Sequence, residues 1–154
     1  MEKYRMALGK MYESLGCGMV TFEVVRRMGV HPHWQAVPVG KAFIRRVKET
    51  FEDMAKEEAA IEAVEEREAN EKEEGDFFRA WIKSDGAGEE EALLMKLKER
   101  TRFDLQFGRK VLGKVFGLED RVNWKDCAQE MEDEVRDAEA FKKAFKEFDF
   151  SLED

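Results

Sequence analysis

Two cysteines, two prolines and two histidines are scattered through 154 residues. The cysteines, Cys17 and Cys127, lie 110 positions apart with no CxxC or Cys/His spacing, which excludes a disulfide framework and a zinc ribbon. Two histidines separated by one residue, and near neither cysteine, leave no Ser/His/Asp or Cys/His arrangement to propose. No apolar run approaches the length of a membrane span, and the first ten residues are charged with no apolar signal core. A reducing cytoplasm and no membrane partner are therefore expected. Gly-rich phosphate loops of the P-loop or dinucleotide type are also missing.

What is present is charge and aromatic weight. Charged residues make up 40% of the chain, well above the usual quarter, which favours solvated helices; twelve Phe and three Trp exclude wholesale disorder. The net charge of −8 hides a split. Residues 1–50 hold nine Lys/Arg against four Asp/Glu, a balance of +5, and the remainder holds 18 against 31, a balance of −13. A basic front and an acidic rear point to a polyanion-facing end and a solvating end.

Periodicity reads as all-α. Residues 2–15 carry Tyr4, Leu8, Met11 and Leu15 at helical spacing, and Gly16 and Gly18 stop the run. Thr21 is placed to cap a short helix over 21–28, with Gly29 as a turn and Val30 as the apolar anchor after it. Pro32, Pro38 and Gly40 mark a loop, after which Lys41 opens a helix with Phe43, Ile44, Val47, Phe51 and Met54 on one face. Residues 56–75 are mostly Glu, Ala and Lys and read as a helical spacer. Further helices are expected over 77–82, 89–107 and 123–148, the last with Trp124, Ala128, Met131, Val135, Ala138, Phe141, Phe145 and Phe148 in register. The expected organisation is a basic unit at 1–55, a spacer at 56–75 and an acidic helical bundle at 76–154.

The segment 21–30, with a glycine between Met28 and Val30, resembles the first helix and turn of helix-turn-helix and winged-helix DNA-binding domains. That resemblance implies a small DNA-binding or regulatory protein, of viral or mobile-element type, touching nucleic acid through Arg26, Arg27, His33, Trp34, Gln35, Lys41, Arg45, Arg46 and Lys48. Lys41, Arg45 and Lys48 share one helical stripe by spacing.

A second resemblance rests on Glu130, Asp133, Glu134 and Asp137, whose spacings of three and four form one acidic helical stripe. The segment 123–138 is similar to the metal helix of MazG-type nucleotide pyrophosphohydrolases, which implies Mg²⁺ held by those four carboxylates and hydrolysis of nucleoside triphosphates. The leading expectation is non-enzymatic, with no cofactor. A third reading is a non-catalytic helical assembly or adaptor protein, with a protein partner or self-association through the acidic helices.

Overall fold

A computed structural model of the chain describes residues 1–27, 33–84 and 90–152. Its centre is an antiparallel sheet. Helix α1 (Glu2–Ser14) leads into β1 (Cys17–Val25) and β2 (Gln35–Gly40), and α2 (Lys41–Glu57) leads to β3 (Ile61–Glu68). Then come β4 (Phe77–Lys83), β5 (Glu90–Leu97), α3 (Phe107–Phe116) and α4 (Met131–Phe145), with short 3-10 turns around α4. The five strands lie in the order β2-β1-β4-β5-β3. The expected all-α architecture is thereby corrected to α/β.

The helix expected over 77–82 is strand β4, and three further strands were hidden for physical reasons. Strand β1 is buried on both faces from Gly18 to Val24, so it shows no alternation, and its continuous apolar run mimics a buried helix. Strand β5 contains Ala, Leu, Met and Lys, good helix formers, yet lies between β4 and β3, where backbone pairing and burial outweigh local preference. Strand β3 replaces the expected helical spacer: its residues alternate half-buried and exposed along an edge, a period of two that a Glu-rich composition conceals. Residues 21–25 of the expected 21–28 helix belong to β1, while Met28, the turn at Gly29, Val30, His31 and Pro32 lie outside the described residues.

Two helices pack on one face of the sheet and one on the other. Val20, Phe22 and Val24 of β1 point into a core with Ile44, Val47 and Phe51 of α2 and Phe107, Val111 and Val115 of α3. Phe78 is fully buried there, with its ring 5.8 Å from Phe51 and 5.2 Å edge-on from Phe107. Gly108 permits this approach, because a Cβ at that position would lie 2.5 Å from the Phe22 ring. On the opposite face, α1 lies over Met19 and Trp81, and Met11 is buried beneath it.

The connection β2–α2–β3 carries the chain from one edge of the sheet to the other. Both edges are blunted against further pairing. Pro38 interrupts the donor row of β2, and β3 carries a bulge between Ile61 and Ala63 together with five charged side chains.

Candidate interaction surfaces

The nine basic or polar residues expected on one nucleic-acid face are divided between the two ends of β1. Cys17 pairs with Gly40, so Lys41 and the start of α2 sit at one end, whereas Arg26 follows Val25 at the other. Nine residues at about 3.3 Å each separate these ends by roughly 30 Å. Several of the side chains are also engaged. Arg26 donates to the Thr101 carbonyl and lies 3.5 Å from Asp76. The backbone N–H of Arg27 donates to Asp76 at 2.8 Å, and its guanidinium is 3.9 Å from Glu99. Lys48 bridges Glu66 at 2.7 Å and Glu91 at 3.2 Å, and the hydrogen bond to Glu66 does most to raise its pKa above the ordinary lysine value. His33, Lys41, Arg45 and Arg46 are exposed, and Gln35 is half-buried opposite Phe22.

Trp34 belongs to a polar-aromatic network on the α1 face that sequence reading did not find. Its indole N–H donates to Glu23 at 2.6 Å, and its ring lies 4.9 Å from Trp81. Glu23, only 6% exposed, also accepts from Arg79 at 2.8 and 3.1 Å. Arg79 stacks 4.7 Å from Trp81 and donates to the Glu71 carbonyl. Arg5, 3% exposed, lies 4.6 Å over Trp81 and is paired with Glu2 and Glu90. Trp81 completes the set by donating to the Ala69 carbonyl at 2.8 Å. These contacts tie α1, the start of β2 and the 69–71 turn to the central strands. A buried charge stays only where it is paired, and Arg5, Glu23 and Arg79 each are. No local signal marks the pair: Trp34 immediately precedes β2 and Trp81 lies in β4, and only the pairing of β1 with both strands brings the rings together.

Asp104 organises the start of α3. Its carboxylate accepts from the Gln106 N–H at 2.9 Å and pairs with Lys110. Burial pushes this carboxyl upward, but Lys110, the Gln106 N–H and Arg102 together hold it below its ordinary value.

The third surface is the C-terminal arm. Here α4 has no buried residue, so the expected bundle-closing role is corrected. Met131 is 79% exposed, Val135 52% and Phe141 43%, so an apolar stripe faces outward. The arm returns to the body through its last turns, where Phe150 lies 4.7 Å from the Tyr4 ring of α1. Of the four carboxylates assigned to Mg²⁺, Asp133 and Asp137 pair with Arg136 instead. Among the described residues, no group of three or more His, Cys, Asp or Glu is placed to hold a metal ion. Among them, too, no helix is long and apolar enough to cross a membrane.

A helix-backed antiparallel sheet with a buried polar-aromatic network and an outward amphipathic arm defines the class: an α/β fold built on a five-stranded antiparallel sheet. The chain belongs to the CwfJ C-terminal family, since residues 49–151 match the family described as "Protein similar to CwfJ C-terminus 2" and residues 1–52 match "Protein similar to CwfJ C-terminal". The junction between these matches falls inside α2, and pairing of β1 with β4 makes both parts one sheet. The chain is 40% identical over 151 residues to CWF19-like protein mug161 of Schizosaccharomyces pombe, covering 98% of the chain and 26% of that relative. It is 30% identical over 156 residues to zinc finger CCCH domain-containing protein 64 of Arabidopsis thaliana, covering 97% and 26%. With human CWF19-like protein 1 it shares 29% identity over 161 residues, covering 99% and 28%. The chain thus spans about a quarter of the length of the curated relatives it matches. Family membership and the sheet together overturn the helix-turn-helix and MazG resemblances, and with them the viral DNA-binding and pyrophosphohydrolase expectations.

Proposed function

We propose that this chain is a protein-interaction module of a CWF19-like protein, in which the sheet and its helices form a rigid base and the C-terminal arm presents the contact surface. The observation that carries this reading is α4 itself: a fifteen-residue helix with an apolar stripe and no buried residue. Most helical stability in proteins comes from packing an amphipathic face, so a stripe left in water marks a surface that gains from a partner. The matched relatives are about four times longer, which is the setting expected of a module. The Arg5–Trp81–Glu23–Arg79 network supports the rigid-base half of the reading, because its groups hold elements together.

A photo-crosslinking side chain placed at position 131, with the protein in its own cells, tests this. A discrete covalent adduct with another protein is expected, and it should disappear when Val135 is also changed to Asp. Crosslinks confined to the protein's own chain would mean that the arm folds back on its own chain, and the reading would fail.

A further inference from the structure

We infer that the occupant of the α4 surface is a lysine- or arginine-rich amphipathic helix of a partner protein; this rests on the interaction-module reading above. Met131, Val135 and Ala138 follow one another at spacings of four and three, which places them in one row along the helix. By the same geometry Glu134 borders this row on one side, and Glu132 and Glu139 border it on the other. Arg136 is directed away from the row, to Asp133 and Asp137.

Residues 130–139 hold six carboxylates and one arginine. At the N-terminal end of the stripe, Glu130, Met131, Glu132 and Val135 line an open, solvent-facing depression. Apolar anchors flanked by acid match the helix-in-groove mode of recognition, in which residues at i, i+3, i+4 and i+7 of the guest fill the stripe. The flanking charge then selects a guest of opposite sign and speeds its encounter.

The same charge argues against the other occupants. Two copies of α4 laid face to face over residues 130–139 would bring their carboxylates together, a like-charge juxtaposition that suppresses pairing. Nucleic acid and anionic membrane are repelled by the same residues. A basic amphipathic helix both covers the apolar row and neutralises its borders.

The test uses the full chain and three synthetic 18-residue peptides of equal length. The first is amphipathic with Leu at i, i+3, i+4 and i+7 and Lys elsewhere. The second has the same composition in scrambled order, and the third keeps the Leu pattern with Glu replacing Lys. Fluorescence anisotropy should show binding of the first only, weakening as salt rises. Met131→Ser with Val135→Ser should weaken that binding at least tenfold, and Glu132→Gln with Glu134→Gln should flatten the salt dependence.

Equal binding of the scrambled peptide would reduce the effect to net charge and overturn the inference. So would tighter binding of the acidic peptide, or a concentration-dependent dimer in sedimentation that the Val135→Ser change abolishes. If no peptide binds while the crosslink at position 131 still captures a protein, the partner chemistry is wrong and the interaction module stands. If both experiments fail, both fall together.

Discussion

Substituting Gly108 by Ala probes the contact on which the α3 side of the fold depends. A Cβ there would lie 2.5 Å from Cδ2 and Cε2 of Phe22 and 2.8 Å from its Cγ. Ordinary carbon–carbon contacts are about 3.5–4.0 Å, so something must shift by roughly 1 Å. Phe22 has little room to retreat, because it is 1% exposed, sits on a central strand and stacks 5.9 Å from Phe78. Two effects oppose each other. Alanine gains up to about 1 kcal/mol in helix propensity, less at the second residue of α3, and overpacking costs about 1–3 kcal/mol. The clash wins, by about 1–2 kcal/mol. For a chain of this size that lowers Tm by about 2–8 °C. Circular dichroism during thermal and urea unfolding reads both quantities. Gly113→Ala is the control, since its Cβ would come no nearer than 3.0 Å to Val122 Cγ2 and 3.3 Å to the Leu118 carbonyl, and its effect should be smaller. A Gly108→Ala protein as stable as the parent would refute the packing of α3 against β1 described above.

Glu23→Gln removes the charge that pairs with Arg79 and accepts from Trp34, and should cost about 3 kcal/mol in urea unfolding, the lower end for breaking a buried pair because an acceptor remains. An unchanged midpoint would mean that the network is not desolvated. Asp104 titrates below its ordinary value in the folded chain, so it adds stability above the unfolded carboxyl pKa, near about 4, and loses it as pH falls through the folded value. Asp104→Asn should therefore destabilise at pH 7 and make little difference at pH 2; equal losses at both would exclude the linkage. Met131→Ser and Val135→Ser should each leave stability within about 0.5 kcal/mol, because exposed side chains contribute little to folding. A cooperative loss of stability in either variant would show that α4 is packed rather than presented.

Local pattern alone determined the helices whose apolar stripe survives into the fold. The 2–15 prediction corresponds to α1, and the helix opening at Lys41 corresponds to α2, with Ile44, Val47 and Phe51 on its buried face. The charge split and the absence of a disulfide framework were equally legible, since neither depends on pairing. Part of the last amphipathic helix also appeared, as α4, but not its environment: a stripe of Met131 and Val135 looks the same in sequence whether it faces a core or water. The strands were decided only by tertiary structure. Burial on both faces erased the alternation of β1, and the helix formers of β5 became a strand because two neighbours satisfied its backbone and covered its side chains. The Glu-rich β3 yielded to pairing along one edge. The same long-range pairings brought Arg5, Glu23, Trp34, Arg79 and Trp81 together from four distant segments, and placed Arg26 and Lys41 at opposite ends of one strand. Helical periodicity is written locally, within a turn or two, whereas a sheet is specified by partners far along the chain, and that is why sequence showed α1, α2 and part of α4 while the fold decided the strands and α3.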